Sequence, residues 1–195
     1  MNEVVLDLET KKSFQEVGGR DRHHLLGVSV AGVYCYRDDS WRAFEEHEIG
    51  ALEALLASAD RVIGFNIRDF DLPVLAPYLR RAVKEFPTLD LMRAVEEALG
   101  FRMALANLAA HTIGAAKSGS GLDALQWWKE GKIDLIKQYC LQDVRVTRDL
   151  YEFGKQHGHV RCQTRDGRIV KIPVAWKPSF MVEREHNPYV QQGIF

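Results

Sequence analysis

The order of apolar and polar positions divides the chain into a strand-rich first third, a helical middle and a short β-rich end. Val4 to Glu9 is a brief apolar run rich in β-branched residues, the pattern of a buried strand. A polar loop holding Gly18 and Gly19 follows, and Leu25 to Tyr36 (LLGVSVAGVYCY) predicts a second strand. Arg37-Asp38-Asp39-Ser40 turns it into a third around Trp41 to Phe44. From Glu46 onward Ile49, Leu52, Leu55 and Leu56 recur at helical spacing. Arg61 to Phe65 (RVIGF) predicts a fourth strand, entered from that helix. Another helix is expected from about Asp71, with Pro73 in its first turn, where a missing N–H does no harm. Pro77 is placed to kink it. Beyond Asp90 the pattern stays helical to about Gly154, broken by a Gly/Ser/Lys loop at Gly114 to Gly121. Val160 to Thr164 and Ile169 to Val174 flank Arg165-Asp166-Gly167-Arg168, and an Asp-Gly pair between β-rich runs signals a hairpin. After Pro178 the chain turns polar and irregular, and no internal repeat or low-complexity segment is present.

This succession predicts an α/β fold, a mixed sheet with helical cover, and 195 residues suit one substantial core. Composition is that of an ordinary globular protein, 46% hydrophobic and 27% charged. The start, MNEVVLDLET, has no basic segment and no long apolar stretch, so no signal peptide is expected. No run approaches the roughly 18 apolar residues of a membrane span. Cys35, Cys140 and Cys162 are widely spaced and odd in number, which predicts free thiols and a cytoplasmic protein, not a disulfide frame or zinc site. The net charge of −1 excludes a polycation drawn to nucleic acid as a whole. It leaves room for an acidic site whose charge bound cations would offset.

Four acids stand out by position. Asp7 and Glu9 lie two apart on a predicted strand, so they project from one face about 7 Å apart. Two charges on a core strand are costly without cations to neutralise them. Asp71 follows the fourth strand in GFNIRDFD, and Asp143 lies four residues after Tyr139, so those two share a helical face. Three elements can thus gather four carboxylates near the carboxyl end of a sheet. Oxygen-only ligands suit Mg²⁺ or Mn²⁺, and two such ions serve phosphoryl transfer. A phenol at Tyr139, with an ordinary pKa near 10, is better suited to orienting a water than to deprotonating it. Singly, each acid has a plainer reading, Asp71 as a helix cap and Asp143 as an exposed helix acid.

Together these segments resemble the DEDD superfamily of 3′-to-5′ exonucleases. VVLDLET resembles the first exonuclease motif, Asp-x-Glu. VIGFNIRDFD resembles the second through Asn66, Phe70 and Asp71. Tyr139-x-x-x-Asp143 resembles the third in its tyrosine form; the histidine form would need His where Gln138 stands. The resemblance spans roughly residues 3 to 155 and is nearest to predicted exonucleases related to the proofreading domain of family B DNA polymerases, some of which accompany helicases. It implies a ribonuclease H-like domain over residues 1–155; the residue pattern adds residues 156–195 as a hairpin and tail expected to pack on the same domain. The resemblance further implies that Asp7, Glu9 and Asp143 hold one metal ion. Asp7 would bridge to a second held by Asp71, and Asn66 and Phe70 would shape the pocket of the terminal nucleotide. The implied activity is trimming of 3′ ends, with single-stranded or frayed DNA favoured and a role in repair or end processing. Two alternatives stay open. One is an exoribonuclease of the same fold. The other is a catalytically dead module that binds nucleic acid or a helicase, whose mark would be loss of a motif acid.

Other positions carry weaker signals. Lys11 and Lys12, with Arg20 and Arg22, either grip phosphates beside the site or form a solvated loop. Phe14 is expected to pack that loop down and Trp127 and Trp128 to anchor the core. His23 and His24 lack ligand spacing, His157 and His159 read as a turn before the hairpin, and Cys140 needs no role beyond packing. The final Gln191-Gln192-Gly193-Ile194-Phe195 resembles the peptide by which bacterial polymerases and repair enzymes dock on the sliding clamp. Gln191, Ile194 and Phe195 would be its anchors.

Overall fold

The computed structural model describes residues 1–115 and 121–176. The tail with Gln191, Ile194 and Phe195 therefore lies outside the described residues. Strands β1 (Glu3–Thr10), β2 (Val28–Cys35), β3 (Ser40–Glu45), β4 (Arg61–Gly64) and β5 (Thr88–Asp90) form one sheet in the order β3-β2-β1-β4-β5. β1 pairs antiparallel with β2 and parallel with β4; β2–β3 is antiparallel and β4–β5 parallel. The predicted mixed α/β architecture is thus the observed one. Helices α1 (Phe14–Val17), α2 (Ile49–Ala57), α3 (Asp71–Leu75), α4 (Leu91–Leu99), α5 (Leu105–Ile113), α6 (Gly121–Lys129) and α7 (Ile133–His157) surround it. A second, two-stranded sheet of β6 (His159–Gln163) and β7 (Ile169–Pro173) forms the hairpin that the Asp-Gly turn predicted.

Period two along β1 sorts its side chains between two cores. Val4, Leu6 and Leu8 pack with Leu52, Leu56 and Leu72 of α2 and α3. Val5 packs on the other face with Leu91, Leu108 and Val144 of α4, α5 and α7, and the hairpin adds Val160, Cys162 and Ile172 to that core. All eight residues of β2 are buried, as a strand covered on both faces requires. The starts of β1 and β4 are fastened by a buried Glu3–Arg61 ion pair. Tyr151 of α7 accepts from Arg61 at 2.6 Å and donates to Glu3 at 3.0 Å, and Arg61 also donates to the Trp176 carbonyl at 3.2 Å. These bonds satisfy the buried charges, which uncompensated would cost several kcal/mol.

Four elements differ from the pattern-based expectation. β5 is a strand where none was expected, because three residues after Pro87 are too few to show a period; its partner β4 makes it a strand. Ser13 caps a single turn, α1, within the polar loop, through a capping box with Glu16. β2 begins at Val28, since His23–Leu25 forms a 3₁₀ turn. Pro77 ends α3 after five residues and starts a 3₁₀ turn instead of kinking a longer helix.

One glycine sets how closely α7 approaches the sheet. Gly32 lies opposite Asp7 in the β1–β2 ladder, and a Cβ there would meet Cys140 Sγ at 2.9 Å and Val144 at 3.2 Å. Gly32→Ala should destabilise the protein by about 1–3 kcal/mol through overpacking. Cys140→Ala in the same chain should recover part of that loss, which a double-mutant cycle of urea unfolding measures. Additive losses would show that α7 does not press on Gly32.

Candidate metal centre

The alternation that buries Leu6 and Leu8 on one side turns Asp7 and Glu9 toward α7. On that helix Tyr139 and Asp143 lie one turn apart, and Cys140 and Val144 between and beside them seat the helix on β1 and β2. Asp7, Glu9 and Asp143 each present a ligand atom, and the three atoms lie within 4.8 Å of one another. The sequence-predicted triad is therefore brought together from two elements far apart in the chain.

Asp71 stands apart from this trio but on the same groove. It is buried, 3% exposed, in the first turn of α3. Its Oδ1 accepts the Leu8 amide at 3.1 Å. The β1–β4 ladder runs only from Glu3 to Val5, so Asp71 takes over an amide that β4 no longer reaches. It is thus neither the helix cap, which is Phe70, nor a solvated acid. A groove of about 460 Å³ is lined by Asp7, Glu9, Asp71, Phe14, Phe70 and Leu122, among others.

Electrostatics confirm the crowding. Burial first, then the charges of Asp71, Glu9 and Asp143, hold the Asp7 carboxyl well above the usual carboxylate range. Burial and the neighbouring Asp143 and Asp71 charges push Glu9 up to about 8. Burial raises Asp71 to about 7. Tyr139 is pushed above its ordinary 10 by burial, by the Asp143 and Glu9 charges, and by its hydrogen bond to Asp143. The phenol consequently stays protonated, with an O–H to donate.

The other predicted residues take separate places. Phe70 lines the groove and packs edge-on against Phe14 at 5.9 Å between ring centroids, so Phe14 holds the loop down as expected. Asn66 is not among the described residues lining the groove. It adopts φ 65° just after β4, a conformation Asn tolerates, and its amide donates to Asp90 at 2.9 Å. Lys12 is exposed on the groove. Lys11 instead pairs with Glu46 at 2.5 Å and lies over Trp128. Trp127 stands edge-on to Tyr139 at 6.0 Å.

Three residues of the site were missed in the sequence. The buried Asp90 carboxylate accepts the Asn66, Arg68 and Met92 amides at 2.9–3.1 Å, capping α4 and fastening the loop that carries Asp71. An Asp before the helical run LMRAVEEAL was its available signal. Cys140 donates its thiol proton to the Asp7 carbonyl at 3.4 Å, and its Sγ is 3.7 Å from Asp7 Oδ2. Leu122, 74% exposed at the start of α6, borders the groove. Neither of the last two had a sequence signal.

No helix among the described residues is long and apolar enough to cross a membrane. No curated protein sequence matches the chain. Among solved structures it is similar to the family B DNA polymerase from the hyperthermophilic archaeon Pyrobaculum calidifontis, with TM-score 0.59 and 18% identity over 79% of this chain. The match takes in 24% of that polymerase chain, so this chain spans about a quarter of it and the likeness is one of fold. The RNase H superfamily model matches residues 4–153, the span in which all three motifs lie. On its fold, its ordered acidic motifs and this match, the chain belongs to the RNase H superfamily of nucleases.

Proposed function

We propose that the protein is a divalent-metal-dependent 3′-to-5′ exonuclease that hydrolyses the terminal phosphodiester of nucleic acid, DNA in preference to RNA. The observation that carries this reading is the gathering of Asp7, Glu9 and Asp143 ligand atoms within 4.8 Å. The donors are all oxygen, as hard cations require, and a cation would offset both the burial and the neighbouring charges that raise Asp7 and Glu9. Asp7, Glu9 and Asp143 would hold one Mg²⁺ or Mn²⁺, and Asp7 with Asp71 a second. Such a pair supplies Lewis-acid charge to a phosphodiester undergoing hydrolysis.

The side chains of the protein do the rest. Tyr139 keeps its proton and donates it in a hydrogen bond to Asp143, which leaves the phenol oxygen to accept a hydrogen bond from the attacking water and so orient it. Phe14, Phe70 and Leu122 give the groove apolar walls against which a terminal base and sugar can lie. Lys12 stands where it can meet a phosphate. The 3′ polarity is supported by the order and spacing of the three DEDD-like motifs, and the preference for DNA by the likeness in fold to a DNA polymerase.

The metal-free protein should lose stability as its carboxyls ionise. Glu9 has a folded-state pKa of about 8, raised from an ordinary 4.5, so the folded form keeps a proton that the unfolded chain releases. That stabilising contribution is complete below the ordinary value and is lost as pH rises toward the folded one. The thermal midpoint in EDTA should fall across this window, Mn²⁺ should restore it, and Asp7→Asn should flatten it. A midpoint that is level or rises there, without metal, contradicts the burial and crowding that keep Glu9 protonated.

Catalysis separates binding from chemistry. Asp143→Asn should abolish turnover and weaken Mn²⁺ binding. Tyr139→Phe should keep Mn²⁺ affinity while slowing turnover roughly 10²-fold. The assay is mononucleotide release from end-labelled single- and double-stranded DNA and RNA with Mg²⁺, Mn²⁺ or EDTA. Cleavage persisting in EDTA, or a product series growing from the 5′ end, would sink the proposal.

A further inference from the structure

A second groove, of about 880 Å³, lies between the α4–α5 turn and the tip of the β6–β7 hairpin. Its walls include Phe101, Arg102, Arg165 and Arg168, against one acidic side chain, Asp166. Phe101 is 47% exposed, an aromatic ring that folding leaves in water. Arg168 is held by Asp166 at 2.6 Å, whereas the exposed Arg165 makes no ion pair among the described residues. The basic character continues along the hairpin. Arg161 and Lys171 stand directly opposite one another in its ladder, and like charges so placed repel.

This arrangement is rigidly fastened. Asn107 of α5 donates to the Gln163 carbonyl and accepts the Gln163 amide, both at 2.9 Å. Thr112 does the same for Arg161, at 2.9 and 2.8 Å. The opposite wall reaches the loop of the second acidic motif. Arg102 is held by Asp69 at 2.5 Å, and Asp69 precedes Asp71 by two residues.

We propose that this groove and the basic face of the hairpin bind the body of a single-stranded nucleic acid whose end occupies the carboxylate groove. The hairpin cations would take successive phosphates, relieving the Arg161–Lys171 repulsion, and Phe101 would offer a face on which an unpaired base stacks. Such contacts are indifferent to sequence, as trimming of arbitrary ends requires. The identity of the ligand rests on the exonuclease reading; the charge and shape of the groove do not.

Fluorescence anisotropy of a long fluorescein-labelled oligothymidylate in EDTA measures this contact without cleavage. Arg165→Glu with Arg168→Glu should weaken binding about tenfold and reduce the slope of log affinity against log salt by about 0.7 for each arginine. Phe101→Ala should weaken binding about tenfold with the slope unchanged. Arg165→Lys with Arg168→Lys should retain affinity, and each variant should unfold at the wild-type midpoint. Wild-type affinity in both the charge-reversed and Phe101→Ala proteins overturns the groove, as does a wild-type protein that fails to bind the strand. A protein that binds through the hairpin yet cleaves no nucleic acid with metal present would leave the groove standing and remove the exonuclease.

Discussion

Like charges brought together out of water repel strongly, and strand β1 does this with Asp7 and Glu9. Its two-residue period commits Val4, Leu6 and Leu8 to one core and turns the acids to the opposite face. That face is closed by α7, which can come near only because Gly32 has no side chain. The approach that seats Cys140 and Val144 in the core also delivers Asp143 to the acids. Packing energy thus holds the carboxylates out of water and at a separation their charges oppose, and burial first, then that opposition, raises Asp7 and Glu9. Protonation or a bound cation relieves it, and near neutral pH a cation does so without surrendering the ionised oxygens.

The surrounding polar groups serve this arrangement. Asp71 accepts the Leu8 amide where the β4 ladder stops, so its position follows that of the strand bearing Asp7 and Glu9. Asp90 holds the intervening loop through backbone amides. At the other end of β1, the Glu3–Arg61–Tyr151 network ties the strand to β4 and to the far end of α7. The helix that carries Asp143 is therefore fixed to β1 at two places, by packing near the acids and by a satisfied buried ion pair away from them.

Much of this was legible in the sequence because it rests on local periods. The β1 alternation, the α2 spacing, the Asp-Gly hairpin and the i, i+4 pairing of Tyr139 with Asp143 are all written within one element. What was not legible depends on partners distant in the chain. β5 is a strand only beside β4, and Cys140 matters because Gly32 lets it reach Asp7. Lys11 joins Glu46 and Trp128, a commitment no local pattern reveals. Asn66 was assigned to the nucleotide pocket by resemblance; the left-handed turn of its backbone and the Asp90 latch had no local sequence pattern.

The activity proposed for this protein depends on Asp7, Glu9 and Asp143 forming a cation site. Anomalous diffraction from crystals soaked in Mn²⁺ tests it most directly. A manganese peak ligated by those three carboxylates is expected, with a second between Asp7 and Asp71. Saturating Mn²⁺ with no peak at the three acids, or peaks only elsewhere on the molecule, would contradict it.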